Sequence, residues 1–124
     1  MDMRGVRGAT TAGDDQADQV VAATRELLEA ILVANPGMRT DCIASVLFTV
    51  TEDLTSAFPA LAARQMGWDS VPMICAREIP VPGSLPHCIR VLVHWNTDIP
   101  QNGVRNVYLR EAVKLRPDLL SQAQ

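Results

Sequence analysis

The chain has no long hydrophobic run, and this absence limits its class before any motif is considered. No apolar segment in its 124 residues approaches the roughly 18 residues that a membrane-spanning helix needs. The N-terminal sequence MDMRGVRGAT contains arginines but no apolar stretch of about seven residues behind them, which argues against a secretory signal. We therefore predict a cytoplasmic protein that makes no membrane contact.

Cysteine and histidine are scarce and poorly spaced for binding a metal. The three cysteines, Cys42, Cys75 and Cys88, form no CxxC pair, and an odd number does not fit a disulfide framework. His87 and His94 have no second His or Cys at ligand spacing. We expect reduced thiols and no metal.

Lysine is almost absent, since the chain has ten arginines and only Lys114. The net charge of -3 excludes a strongly basic nucleic-acid-binding protein. Arginine presents a planar fork of donors that matches carboxylates, so an arginine-rich chain suits an anionic ligand. A GC-rich genome explains the overall ratio equally well, and only individual positions can decide between these readings.

Four segments have the composition of β-strands. The predicted strands cover residues 3–10, 42–50, 71–78 and 88–96. The second of them is a continuous apolar and β-branched run, which is typical of a central strand covered on both faces.

Two helices are predicted between these strands. The first is capped by Asp14 or Asp15, has an apolar face at steps of three and four residues, and runs to about Asn35. The second is short, with Pro59 in its first turn and Gly67 at its end. The residues after 103 fit either a short strand followed by a helical turn or one helix.

These elements predict a single α+β domain over residues 1–124, with one mixed sheet, one long helix and one short helix. One long helix covers only one face of such a sheet. The other face is therefore expected to pack on further copies of the chain, which predicts a homo-oligomer.

Arg90 lies in the apolar strand CIRVLVHWN, where an arginine is unusual because it is almost never fully buried unless paired. Its obvious partner is Glu78 at the end of the preceding strand, and a structural ion pair would explain both residues. Arg7 in the first strand raises the same question, with a rim arginine as its structural explanation. Together the three residues form a polar cluster with excess positive charge, which suits a small dianion that bears a hydroxyl.

No nucleophilic or metal-dependent machinery is recognisable in the sequence. It contains no Ser-His-Asp arrangement, no glycine-rich phosphate loop and no HExxH motif. Cys75 lies in mid-strand, where a buried thiol is usually inert packing. A catalyst built from these residues would work by holding and polarising its substrate.

Six blocks of the sequence resemble the small monofunctional chorismate mutases of the AroH class, over about residues 3–119. The blocks are RGVRGATT (4–11), FPALAAR (58–64), VPMICARE (71–78), CIRV (88–91), TDIPQNGVRNVYLREAV (97–113) and LRPDL (115–119). Their common order and spacing make the resemblance specific, because any one block alone would be weak.

The resemblance implies an isomerase that converts chorismate to prephenate by a Claisen rearrangement, on the route to phenylalanine and tyrosine. It also implies a homotrimer that forms a pseudo α/β barrel, with active sites in clefts between subunits. Such a rearrangement needs no cofactor, no covalent intermediate and no proton transfer, because conformer selection and charge stabilisation suffice.

The resemblance assigns catalytic roles to Arg90 at the ether oxygen, Glu78 at the hydroxyl and Arg7 at a carboxylate. The residues that it implies for substrate binding are Tyr108, Cys75, Phe58, Ala60, Arg64, Met73, Ile74, Leu115 and Arg116. Residues 116–124 would form a flexible C-terminal tail.

Two features depart from the family pattern. Leu61 stands where many members carry a lysine, so Arg64 would provide the cationic rim contact alone. Strict alternation also directs Cys75 and Glu78 to opposite sides of their strand, so a shared pocket requires a bulge or a strand end between them.

Two rival functions use the same arginines. One is a regulatory or carrier module that binds a small anion without transforming it. The other is an imine deaminase of the RidA type, whose trimers have a similar architecture. The combination of Arg7, Glu78 and Arg90 favours the mutase.

Overall fold

A computed structural model describes residues 1–115, which form one mixed five-stranded sheet and two α-helices. The elements are β1 (Asp2–Thr11), α1 (Ala17–Ala34), β2 (Ile43–Val50), α2 (Ala60–Gln65), β3 (Met73–Arg77), β4 (Cys88–Thr97) and β5 (Val107–Tyr108). Short 3₁₀ turns lie at Thr40–Cys42, Gln101–Gly103 and Arg110–Lys114. The predicted α+β fold is confirmed, and the segment after residue 103 takes the strand-and-turn alternative.

The strands are arranged in the order β3-β2-β4-β1-β5. The central strand β4 runs antiparallel to β1 and β2, whereas β3 is parallel to β2 and β5 is parallel to β1. This register places Arg90 of β4 between Ala9 of β1 and Thr49 of β2. Residues far apart in sequence are thereby neighbours on one face of the sheet.

One face of the sheet carries the core and packs against α1. Ile89, Val91, Val93 and Trp95 alternate along β4 toward this face, and all four are buried. Close packing of the helix requires a glycine at position 8, because a Cβ there would lie 2.8 Å from Ile31 Cδ1. In the described residues, neither helix is long and apolar enough to span a membrane.

The start of α1 differs from the sequence prediction. Its N-cap is Gln16, which makes no side-chain capping hydrogen bond, so neither Asp14 nor Asp15 caps the helix. The Asp15 carboxylate instead accepts hydrogen bonds from the backbone of Thr55 and Ser56. A local pattern cannot reveal a competing partner that lies 40 residues away. The end of α1 is as predicted, with the Asn35 N–H donating to the Ile31 carbonyl.

The opposite face of the sheet is open in the single chain. Arg7, Leu47 and Leu92 lie on it in register, and Leu47 is 37% exposed. The face of β2 that is predicted to pack on further copies of the chain is uncovered in one chain, because no element of residues 1–115 packs over it. Ile74 of β3 lies on the same face and is 68% exposed.

Candidate active site

A cavity of about 240 Å³ lies on the open face of the sheet. All five strands or the residues next to them contribute to its walls, so its composition depends on the strand order. The lining residues are Arg7, Gly8, Ala9, Leu47, Thr49, Glu78, Arg90, Val91, Leu92, Tyr108 and Leu115. The structure thus brings together Arg7, Glu78, Arg90, Tyr108 and Leu115 from the predicted site.

Arg90 enters the cavity from β4 because strand alternation directs it away from the helix-covered face. Its Nε lies 3.5 Å from Glu78 Oε2, so the predicted ion pair between these residues is confirmed. The pair is not buried within one chain, since the Arg90 side chain is 46% exposed. The reason is that the face of the sheet that carries Arg90 is the open one.

Glu78 follows directly after the last residue of β3, and its N–H donates to the Val50 carbonyl at 2.8 Å. Its Oε2 accepts a hydrogen bond of 2.6 Å from Thr49 Oγ1 and also faces Arg90. Among residues 1–115, no hydrogen bond is made to the other carboxylate oxygen, Oε1. The carboxylate is therefore held in place while one oxygen stays open to a ligand.

Thr49 is a site residue that the sequence analysis missed. Threonine is common in strands, so its presence in β2 is not a signal by itself. Thr49 could have been identified from the pairing register of β2 and β4, because that register places it directly beside Arg90.

Arg7 and Tyr108 form the β1 and β5 side of the cavity. The Arg7 backbone N–H donates to Asn106 Oδ1 at 2.8 Å, which ties β1 to the residues just before β5. Tyr108 pairs with Ala9, and the Leu109 N–H donates to the Ala9 carbonyl at 2.9 Å. In the described part of the chain the Arg7 guanidinium makes no ion pair, which leaves its donors for a ligand.

The charges of the lining residues favour an anionic ligand, since they comprise two arginines and one glutamate. Cys88 lies on the same face of β4 as Arg90, and burial raises the pKa of its thiol although the Arg90 charge acts in the opposite direction. The thiol therefore stays neutral and adds no competing negative charge. No three His, Cys, Asp or Glu side chains in residues 1–115 are grouped to hold a metal ion.

Phe58 and Cys75 lie in a second cavity, of about 430 Å³, between β3 and the segment that precedes α2. Register from Met73 to Arg77 is unbroken, so no bulge brings Cys75 round to Glu78. Cys75 pairs with Phe48 and packs on the core side, whereas Glu78, beyond the strand end, reaches the open face. Within one chain these two predicted site residues therefore do not share a pocket.

The remaining predicted residues also lie outside the first cavity. Met73 packs partly buried on the core side of β3, whereas Ile74 is exposed on the open face. In α2, Ala60 is buried and Arg64 is exposed. Arg116 and the predicted tail over residues 116–124 lie outside the described residues.

Comparison with known proteins assigns the family. The sequence model described as chorismate mutase type I matches residues 3–119. The chain belongs to the chorismate mutase type I family. Chorismate mutases are isomerases, and the reaction of this family is the Claisen rearrangement of chorismate to prephenate. The predicted family, reaction and role in aromatic amino acid biosynthesis are thereby confirmed.

Individual chorismate mutases are similar to the chain over nearly its full length. Chorismate mutase AroH of Thermus thermophilus is 61% identical over 119 residues, which is 96% of this chain and 98% of the relative. Chorismate mutase AroH of Bacillus subtilis (strain 168) is 43% identical over 120 residues, with coverage of 96% and 94%. A solved chorismate mutase from Clostridium thermocellum superposes with a TM-score of 0.85 at 51% identity, covering 87% of this chain and 96% of that one.

Proposed function

We propose that chorismate rearranges to prephenate in the cavity that contains Arg7, Glu78 and Arg90. The observation that carries this assignment is the combination of two arginines with one glutamate that keeps an oxygen free. Chorismate has two carboxylates and a hydroxyl. The arginines match the carboxylates and the ether oxygen, and the free Glu78 oxygen matches the hydroxyl.

In this mechanism Arg90 acts on the bond that breaks. As the ether C–O bond lengthens, negative charge grows on the oxygen, and a guanidinium already in place stabilises it without reorganisation. The C–C bond forms in the same concerted step, so no proton moves and no enzyme group becomes covalently attached. Glu78 holds Arg90 through the 3.5 Å ion pair, and Thr49 in turn holds Glu78 through the 2.6 Å hydrogen bond.

The other cavity residues hold the substrate in its reactive conformation. Glu78 Oε1 accepts the hydrogen bond of the substrate hydroxyl, while Arg7 and Tyr108 donate to carboxylate oxygens. Fixing both ends of a flexible molecule brings the reacting carbons together, and such positioning supplies a large part of many enzymatic rate enhancements.

The complete site is composite, and the chain acts as a homotrimer. A volume of about 240 Å³ is below the roughly 300–1,000 Å³ of most small-molecule sites. In the trimer, the neighbouring subunit closes the cavity with apolar walls from Phe58, Met73 and Ile74, together with Ala60 and Cys75. Arg64 and Arg116 add positive charge at the rim. The exposed Ile74 and Phe58 side chains support this, because a contact between subunits would remove them from water.

The assembled enzyme works in the cytoplasm, where free thiols at Cys42, Cys75 and Cys88 are stable in their reduced form. This location follows the usual distribution of cysteine-containing proteins that lack disulfides.

Loss of chorismate absorbance tests the proposal when the purified chain is compared with its Arg90→Ala variant. The parent should consume chorismate and form prephenate, and the variant should lose about 100- to 1,000-fold in turnover, as when one preorganised donor is removed. Arg39→Ala is the matched control, because Arg39 is an exposed arginine that pairs with Asp41 outside the cavity.

Different results would reject different parts of the proposal. Chorismate that disappears no faster than it does spontaneously would reject the activity, and binding without turnover would favour the anion-carrier alternative. An Arg90→Ala variant that assembles normally and keeps near-normal turnover would reject the role of Arg90.

A further inference from the structure

Arg110 holds together three elements near the cavity without lining it. Its Nε and Nη2 donate to the two Glu26 carboxylate oxygens of α1, at 3.1 and 3.4 Å. Its Nη1 donates to the carbonyl of Thr11, the last residue of β1, at 3.2 Å. The guanidinium thus connects the segment just after β5 with both the long helix and the end of β1.

The backbone at Arg110 is held in a disfavoured conformation. Its φ of 53° lies in the left-handed region, which residues with a side chain rarely adopt. Such a conformation persists where surrounding contacts hold it, and the Glu26 and Thr11 contacts are the ones this side chain makes within residues 1–115.

The strand that carries Tyr108 is short, and Val107 and Leu109 on either side of Tyr108 pack against the core. β5 has two residues, which pair with Gly8 and Ala9 of β1. The Leu109 N–H bond to Ala9 extends this pairing by one position, and Arg110 follows immediately. A two-residue strand contributes few ladder hydrogen bonds. Side-chain hydrogen bonds at Asn106 and Arg105 hold the residues before β5, and the Arg110 contacts hold the residue that follows Leu109.

We propose that Arg110 is a positioning residue for the rearrangement, which holds Tyr108 in the cavity by fixing β5 to Thr11 and Glu26. The inference rests on the proposed function, in which the Tyr108 hydroxyl donates to a substrate carboxylate. Arg110 itself touches no substrate. Its contribution to binding passes through the placement of the Tyr108 ring.

Arg110→Ala should raise KM for chorismate about three- to tenfold, the scale of one weakened hydrogen bond, with kcat within about twofold. The Tyr108 contact exists in both the ground state and the transition state, so its loss affects binding more than turnover. Alanine keeps a Cβ at the left-handed position and therefore removes the tether without relieving the backbone strain that glycine would relieve.

A double-mutant cycle with Tyr108→Phe separates positioning from general destabilisation. If Arg110 acts through the Tyr108 hydroxyl, Arg110→Ala should change kcat/KM by less than about twofold in the Tyr108→Phe background. A three- to tenfold loss that persists in that background would overturn the proposal, because a merely structural role does not depend on the hydroxyl.

Two further variants keep the test decisive. Glu26→Gln weakens the same tether from the helix side and should raise KM in the same direction, so it replaces Arg110→Ala if the latter does not fold. Arg25→Ala is the control, since it breaks an exposed ion pair with Glu29 on the same helix and should leave KM unchanged. An inactive parent enzyme would reject the proposed function, whereas an active parent with normal KM in both tether variants would reject only the role of Arg110.

Discussion

Thr49 orients the carboxylate of Glu78, although it carries no charge itself. Its hydroxyl donates to Glu78 Oε2 at 2.6 Å and thereby holds the carboxylate of a residue that lines the cavity. Thr49→Val keeps the shape but removes the donor, and hydrogen bonds to charged groups are worth more than neutral ones, so kcat/KM should fall about tenfold. Steady-state kinetics on chorismate measure this effect.

Serine at the same position provides the matched comparison, because it restores the hydroxyl. We expect kcat/KM of the Thr49→Ser variant to stay within about threefold of the parent value. The small loss would come from the missing methyl group and from the freer rotamer of serine. Equal losses in the serine and valine variants would show that packing, rather than the hydrogen bond, explains the importance of Thr49.

At this scale the sequence reveals charged residues better than neutral ones. Arg90 was predictable because a guanidinium among apolar strand residues is uncommon, and Glu78 followed as its partner. Thr49 was not predictable, since a β-branched residue is ordinary in a strand. The role of Thr49 depends on which strand lies beside β2. The opposite orientations of Cys75 and Glu78 did follow from alternation alone.

At the level of elements, the Asp15 carboxylate connects the β1–α1 turn with the segment that carries Phe58. Its Oδ1 accepts from the backbone N–H groups of Thr55 and Ser56, and its Oδ2 accepts from the Thr55 hydroxyl. The positions of the strands and helices were predictable from local periodicity, but this tie was not, because its two sides are 40 residues apart. Capping preferences alone would place the Asp15 carboxylate at the N-terminus of α1 rather than on Thr55 and Ser56.

This tie predicts a pH-dependent contribution to stability. Hydrogen bonds from Ser56 and Thr55 hold the pKa of the Asp15 carboxyl below its ordinary value, against the opposing effect of burial. Because the folded-state pKa is lowered, the stabilisation is complete above the unfolded-state value and is lost as pH falls through the folded-state value. Asp15→Asn should therefore lower Tm at neutral pH, and its difference from the parent should shrink below about pH 4.

Thermal unfolding at fixed protein concentration over a pH series measures this difference. Asp14→Asn is the control, since Asp14 is an exposed neighbour whose carboxylate accepts no hydrogen bond within residues 1–115. A constant Tm difference between the Asp15→Asn variant and the parent across the series would argue against the carboxylate tie.

At the level of the whole molecule, residues that are predicted for one site lie in two separate cavities of the chain. The first has the charged groups, Arg7, Glu78 and Arg90, and the second has Phe58 and Cys75. The sequence anticipated an uncovered sheet face because one long helix is too little to cover both sides. It could not show that these residues lie in two different cavities of one chain, since that depends on the side of the sheet to which each side chain is directed.

A composite trimeric site predicts that two inactive variants restore each other when mixed. Arg90→Ala removes a charged group from the first cavity, and Phe58→Asp places a repelling charge on a side chain that is 69% exposed and therefore tolerant of substitution. If each site takes Arg90 from one subunit and Phe58 from the next, random reassembly of equal amounts should restore about one quarter of the sites.

Subunit exchange followed by the chorismate assay measures the recovery, and sedimentation verifies the trimer. Recovery requires that the two residues come from different subunits, so a mixture no more active than its components would show that each chain builds its site alone.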